Sequence, residues 1–372
     1  MRLQLALAGL LAATTPAAAD GSVSARAVYY KERATRVMQP MLDGVFELGA
    51  RGLVTSHFLV DAITSASSSA GAANAVAFTE NRYEAGVGYT HELSDLKLSG
   101  ESKYSTESDY RSFYLGGRGE LELFQKNTTL GIGGGVGFDT ISAGSGGGLA
   151  QPTIECEMGT AEQAECKLRT YSVFASATQI LSPRTLVGAS VDVSKLDGYQ
   201  SNPYRSAIAG DELVPERHPT ERTREAFAGL VRHFVKQTDT TLIGAYRYYR
   251  DTWKVHAHTP ELRVIQQVGT TIDASFRYRY HTQDSAFFYK ARYASVDEEN
   301  EMSNTFFSDD VKLSDTSTHT LEAKLGLLGE TFELEGTWGA ARFEAVLQYV
   351  VQYNRFGNAI IAHIGVTVPF SY

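Results

Sequence analysis

The stretch Ala274-Ser-Phe-Arg-Tyr-Arg-Tyr-His281 sets Arg277 and Arg279 between Phe276, Tyr278 and Tyr280. A water-excluding core rejects two arginines, and a solvated surface does not gather three aromatics. An extended strand resolves the conflict, because successive side chains point to opposite faces. Ile272, Ala274, Phe276, Tyr278 and Tyr280 then line one surface, and Thr271, Asp273, Ser275, Arg277 and Arg279 line the other.

The same split recurs along the chain. Leu96, Leu98, Gly100 and Tyr104 oppose Lys97, Ser99, Glu101 and Lys103. Phe113, Leu115, Leu121 and Leu123 oppose Tyr114, Arg118, Glu120 and Glu122. Leu321, Ala323, Leu325 and Leu327 oppose Thr320, Glu322, Lys324 and Gly326. In a soluble β-sandwich such alternation puts apolar residues in a core and polar ones in water. In an outer-membrane barrel it puts apolar residues in lipid and polar ones in the lumen.

Three features favour the barrel. Short polar links, such as Glu92–Asp95 and Leu181–Arg184, alternate with long segments over 64–80, 142–168, 195–221 and 282–317. That is the pattern of short periplasmic turns and long extracellular loops. The C-terminus carries an unbroken apolar face, Ile360, Ala362, Ile364, Val366, Val368, Phe370 and Tyr372. It resembles the terminal strand by which such barrels are recognised for insertion, with Phe370 and Tyr372 as the signal. Finally, strand-like segments fall at 24–34, 38–48, 53–62, 81–91, 95–105, 111–124, 128–139, 168–180, 184–195, 223–236, 239–251, 255–267, 270–281, 317–328, 342–353 and 358–372. The expected fold is therefore all-β, a transmembrane antiparallel barrel of about sixteen strands (roughly 14–18) with both termini on the short-turn side.

Composition agrees. The chain has 20 Tyr, 18 Phe and 34 Gly against 9 Pro, and no later segment is an apolar run long enough for a spanning helix. Residues 1–19 read as a cleavable signal peptide: Arg2, an apolar stretch from Leu3 to Ala13, then Ala17-Ala18-Ala19 before Asp20. Residues 20–372 read as a single barrel domain in the bacterial outer membrane. Cys156 and Cys166, the two cysteines of an exported chain, read as one disulfide closing a short loop. A formal net charge of −9 argues against nucleic acid as a partner.

Several short strings bring a family into view. "LVDAITSAS" (Leu59–Ser67), "SNPYR" (Ser201–Arg205), "ERTRE" (Glu221–Glu225), "YRYYRDTWKVHAHTPEL" (Tyr246–Leu262), "FRYRYHTQ" (Phe276–Gln283) and "STHTL" (Ser317–Leu321) occur in this order. Together they resemble an exported family known only as a domain of unknown function, number three-five-seven-zero. The resemblance spans nearly the whole mature chain and implies an outer-membrane barrel. It implies no catalytic residues.

The polar faces supply the candidate site. Lys97, Glu101, Arg118, Glu120, Arg247, Glu261, Arg263, Asp273, Arg277 and Arg279 are expected to line the lumen and to contact a solute. Charges there either neutralise one another, as desolvation demands, or sort solutes along an aqueous path. Arg247, Arg263, Arg277 and Arg279 are expected to form a positive strip that favours small anions. His256 and His258 point the same way on a strand but offer too few ligands for a metal site. Trp253 suits an aromatic girdle at the membrane edge, and Asn202-Pro203-Tyr204-Arg205 suits a loop folded into the barrel mouth. There is no G-x-S-x-G and no catalytic spacing of Ser and His, so no enzyme activity and no cofactor are expected. The function expected is a channel or substrate-specific pore, the alternative a non-conducting scaffold or docking barrel. The partners expected are outer-membrane lipid, the barrel-insertion machinery, an unidentified small solute and, as an option, further copies of the chain.

Overall fold

Alternation sets which residues share a face, but strand pairing decides whether the sheet closes. The computed structural model describes residues 20–33, 35–66, 77–142, 165–202, 205–294 and 306–371. Residues 1–19, read above as a signal peptide, and Cys156, Pro203, Tyr204 and Tyr372 lie outside the described residues. Eighteen strands follow in order: β1 (Gly21–Lys31), β2 (Thr35–Leu48), β3 (Gly52–Ala66), β4 (Ala77–Leu93), β5 (Leu96–Thr106), β6 (Tyr110–Leu123), β7 (Thr128–Ser142), β8 (Glu165–Ser182), β9 (Thr185–Gly198), β10 (Ser206–Ala209), β11 (Glu212–Pro215), β12 (Glu221–Val235), β13 (Thr240–Asp251), β14 (His256–Val268), β15 (Ile272–Gln283), β16 (Thr316–Leu328), β17 (Arg342–Gln352) and β18 (Ala359–Phe370).

All but β10 and β11 form one closed antiparallel barrel of 16 strands. Each barrel strand pairs with its neighbours along the chain, and β1 closes on β18 from Gly21↔Phe370 to Lys31↔Ile360. The barrel sheet has no open edge, so its backbone groups find partners without water, as a hydrocarbon surrounding requires.

The faces sort as the alternation demands. Val87, Leu115, Ile132, Val173, Phe276, Leu347 and Ile364 point outward and are exposed. Their polar neighbours point into the lumen. Phe370 ends the apolar face of β18 and meets the ring of Phe46 at 5.8 Å. The glycine run Gly131-Ile-Gly-Gly-Gly-Val-Gly137 has a packing reason. A Cβ on Gly133 would strike the Phe174 ring, and one on Gly135 would strike Tyr114. These two large lumen-side rings occupy the space that side chains at Gly133 and Gly135 would need.

Two elements depart from the expectation. The segment between β9 and β12 is not a plain loop but carries the β10–β11 hairpin, paired from Ser206↔Pro215 to Ala209↔Glu212. On the side of the short turns, the link between β16 and β17 is a built element. It contains a 3-10 turn (Gly329–Phe332) and a short helix α1 (Gly336–Gly339). Period two cannot announce either: a four-residue hairpin is too short, and the link has no alternation.

Charge placed at the middle of the lipid face costs about 2–4 kcal/mol. Ile364→Arg, mid-strand and 67% exposed, should therefore destabilise the folded barrel by about that amount in urea titrations from vesicles. The same change at Ser190, which faces the lumen across from Ala228, should leave the midpoint nearly unmoved. Equal losses at both positions would contradict the assigned faces.

Candidate functional site

The lumen wall is organised into separate ionic groups. On β14 to β17, Glu322 is the centre of one. It pairs with Arg277, accepts from Gln348 Nε2 at 2.8 Å, and lies 4.0 Å from Arg263. Glu261 lies 3.4 Å from Arg277 and 3.6 Å from Arg263. Nearer the short turns, Arg342 holds Asp273 at 2.5 Å and Glu344 at 2.9 Å, and Lys324 also reaches Glu344 at 2.5 Å. Farther round the wall, on β1 to β3, Asp43 takes both Arg26 and His57 Nδ1, the latter at 2.6 Å. Asp61 pairs with Arg82, and Arg118 with Glu120. Lys103 lies 3.5 Å from Glu101, and Lys97 lies 3.1 Å from Glu92.

The positive strip read from the sequence is thus interrupted. Arg263 and Arg277 are neutralised by Glu261 and Glu322, while Asp273 belongs to Arg342. Arg247 and Arg279 differ. Both face the lumen and are exposed, and among the described residues neither has an ion-pair partner. Arg247 lies 5.5 Å over the Tyr249 ring. Its register partner across β14 is Thr259, and Thr259 bonds His281 at 2.9 Å. These cations therefore sit in the outer third of β13 and β15, above the neutralised group.

Over that arc the long loops fold into a cap. Trp253, Val255, Ala286, Phe288 and Leu313 form one buried apolar cluster, and Ala207, Ala209, Tyr293 and Phe307 form a second. Trp253 is 3% exposed, donates to the Glu221 carbonyl at 3.0 Å, and takes the Arg222 guanidinium 4.0 Å above its ring. This corrects the girdle assignment: Trp253 belongs to the cap core, not to the membrane edge. The cap rests on inward-facing groups. Asp251 pairs with Arg222 and accepts from Val255 N at 3.0 Å. Gln283 Nε2 donates to the Lys312 and Ser314 carbonyls at 2.9 and 2.8 Å.

A buried polar knot ties the loops together. Glu216 accepts from Ser308 Oγ at 2.7 Å and from Asn202 N at 2.9 Å, and lies 3.2 Å from His218 Nε2. Arg205 reaches Asp310 at 2.5 Å and Glu216 at 3.7 Å. Arg355, from the β17–β18 loop, holds Asp309 at 2.8 Å. Burial opposes the charge on Glu216, but His218, Arg205 and Ser308 more than offset it and hold the carboxyl below the ordinary glutamate value. At Asp309 burial wins and pushes the carboxyl up, although Arg355 faces it. Asn202 and Arg205, both within the string Ser201–Arg205, are the members of this knot that the sequence signals. Glu216, His218 and Ser308 lie in stretches without periodicity.

Other candidates scatter. His256 and His258 both sit on the outer side of β14. His256 lies 3.5 Å from Asp284, and His258 bonds the Tyr246 hydroxyl at 2.5 Å. Neither joins a third ligand among the described residues. Glu80, Glu107 and Asp109 converge within 4.8 Å, with Ser108 N donating to Glu80 at 3.1 Å. Burial, then the charge of Glu80, pushes the Glu107 carboxyl up. Cys166 is buried and disulfide-bonded.

A family model described as "Protein of unknown function (DUF3570)" matches residues 75–344. No curated protein matches the chain. A bacterial polysaccharide outer membrane secretin superposes with a TM-score of 0.51 at 8% identity, over 94% of this chain and 98% of that one. A BenF-like porin from Pseudomonas fluorescens Pf-5 gives 0.48 at 10% identity, over 95% and 99% of the two chains. The outer membrane protein OprD from Pseudomonas aeruginosa gives 0.46 at 9% identity, over 95% and 94%. The secretin likeness is one of fold.

Acid should loosen the cap through Glu216. A carboxyl held low in the folded state contributes stability above its ordinary value, and that contribution is lost as pH falls through the lowered value. Asp309 runs the other way, because gaining a proton relieves its burial. Trp253 emission, read in a Trp338→Phe background, should therefore show an acid transition below about pH 4.5. Glu216→Gln should weaken the cap at neutral pH and remove that transition, while Asp309→Asn should keep it. An unchanged transition in Glu216→Gln would refute the assignment.

Proposed function

We propose that this chain, which belongs to the DUF3570 family, forms an outer-membrane channel whose wall sorts small solutes by charge. The observation that carries the reading is the wetness of the interior. Lumen-facing side chains are exposed within a closed barrel: Arg118 and Lys103 at 44% each, and Glu101 at 47%. A sixteen-stranded wall is wide enough for an aqueous channel, and these side chains do not fill it. The apolar outer face and the leader-like N-terminus support the outer membrane as its place, with the terminal strand read by the insertion machinery.

In this reading the neutralised groups brace the wall and the unpaired cations meet the solute. Glu261, Arg263, Arg277 and Glu322 spend their charge on one another, so little field escapes into the water between the walls. Arg247 and Arg279 keep theirs. An anionic group passing under the cap gains attraction from both without displacing a carboxylate. A guanidinium also offers a planar fork of donors to a carboxylate or phosphate. The cap, which rests on the inner faces of β12 to β15, narrows the mouth on that same side. It is also the observation that favours the second reading, a non-conducting barrel used for docking.

Planar-bilayer recording separates these readings. Stable conductance steps support the channel, and their absence from a heat-modifiable, folded preparation leaves the docking barrel. In a salt gradient, Arg279→Ala or Arg247→Ala should shift the reversal potential toward cations. A unit charge at ~7 Å in a water-like dielectric shifts a monovalent anion and a cation by about 0.6 kcal/mol in opposite directions, roughly a sevenfold change in anion-to-cation permeability. Arg277→Ala together with Glu322→Gln, which removes an already neutral pair, should change selectivity less. Indifference of the reversal potential to all three would remove the anion contact.

A further inference from the structure

Arg224 faces the lumen from the outer end of β12, on the same side as Ala226 and Ala228, and neither the braced wall nor the cap uses it. It is half-buried. Its Nε is buried without a hydrogen-bond partner, and no carboxylate pairs with the guanidinium among the described residues. Competition is the reason. Asp251 stands opposite Arg224 in register. Its Oδ2 accepts from Arg222 Nε at 2.8 Å and from the Tyr249 hydroxyl at 2.7 Å, and its Oδ1 accepts from Val255 N at 3.0 Å. On the other flank Arg224 faces Ser194, which offers no charge. A buried donor left without an acceptor is costly and calls for a partner.

Tyr249 joins Arg224 to a second unpaired cation. Its phenol lies within electrostatic reach of Arg224, and Arg247 lies 5.5 Å over its ring. Opposite Tyr249 and Arg247, β12 presents only Ala226 and Ala228, so no side chain there competes for either guanidinium. Lower on β15, Arg279 shares with Arg247 an electrostatic contact to His281. On β9, Asp192 opposes Ala226 but is exposed and pairs with neither Arg224 nor Arg247. Two guanidiniums thus meet at one tyrosine, at the level where the cap rests on the wall.

Like charges held in a half-buried corner repel. An anion entering between them relieves that repulsion and supplies the acceptor that Arg224 Nε lacks. A single negative charge balances one guanidinium. A dianion balances both, and its oxygens accept from two planar forks at once.

We propose that Arg224, Tyr249 and Arg247 form a binding site for a phosphate group at the junction of cap and wall, where a solute carrying that group is held and not only steered. This rests on the reading of the lumen as a wet, anion-facing passage. It requires that small ions enter the lumen, not that current crosses the barrel.

The test is isothermal titration of the folded full-length barrel in detergent. Inorganic phosphate at about pH 8, where it is chiefly a dianion, is compared with acetate at equal ionic strength. The expected result is saturable phosphate binding, with acetate about tenfold weaker or more. Arg224→Gln and Arg247→Gln should each weaken phosphate binding by about tenfold or more, the effect of losing a charge-assisted hydrogen bond. Arg224→Lys keeps the charge without the fork and should fall between. Arg250→Gln, on the outer face beside Glu225, should bind as the wild type does. Trp253 emission in a Trp338→Phe background checks that the cap is intact in each variant. Should Arg224→Gln disturb it, Arg247→Gln and Arg224→Lys carry the comparison. Absence of saturable phosphate binding, or wild-type affinity in the arginine variants, would overturn the site. Equal affinity for acetate would overturn the preference for a dianion. A barrel that binds phosphate but passes no current keeps the site and loses the channel, and one that conducts without binding phosphate does the reverse.

Discussion

Closure of β1 onto β18 is the pairing on which everything else hangs. In hydrocarbon an unpaired backbone group costs several kcal/mol, so an open sheet of this length has no stable form there. Once the ladder closes, each side chain has only two environments available. The outward set is chosen for lipid and is free of structural duty beyond that. The inward set must settle its charges against its neighbours, because the wall leaves it no core. The clusters around Glu322, Glu344 and Asp43 are the consequence of closure as much as of any selection for function.

Closure also explains why the loops on one side could grow into a cap. The wall below them is already complete, so the cap need only hold itself. It does so with a small apolar core around Trp253 and Phe288 and with a buried knot around Glu216. The knot is costly unless fully paired, and the loops supply the partners from three separate connections. Glu216 comes from beside the β10–β11 hairpin, Ser308 and Asp310 from the β15–β16 loop, and Arg355 from the β17–β18 loop. A carboxylate that needs partners from distant loops sets how those loops meet.

The stretch "ASFRYRYH" shows how far sequence reading reaches. Alternation alone placed Phe276 and Tyr278 outward and Arg277 and Arg279 inward, and sixteen strand segments followed from the same rule. That rule is local, since it depends only on the period of a pleated strand. The fates of the two arginines are not local. Arg277 stands opposite Glu322 in the next strand and is consumed by it. Arg279 stands opposite Glu261, but Glu261 is already shared by Arg263 and Arg277. Register and competition between strands decide which arginine is left over, and neither is written in the neighbours of either residue. Trp253 fails for a related reason: near a strand end, an aromatic serves a lipid girdle or a loop core equally well until the loops are seen. The β16–β17 link was silent because it has no period to read.

The distribution of settled and unsettled charge along the lumen carries a mechanical implication. Toward the short turns, Asp273, Arg342, Glu344 and Lys324 form a continuous chain of contacts. At mid-height the Glu322 cluster does the same. Above it, on β13 and β15, Arg247 and Arg279 have no carboxylate partner among the described residues, and there the cap leans inward. A wall braced this way is stiff below and chemically open above. If solutes pass, the first cations they meet after the cap on this arc are Arg247 and Arg279, and beyond them β14 to β17 offer paired charge that neither holds nor repels them strongly. Selection at entry followed by indifferent passage lets a pore discriminate without trapping what it admits, since binding must be strong enough to enter and weak enough to leave.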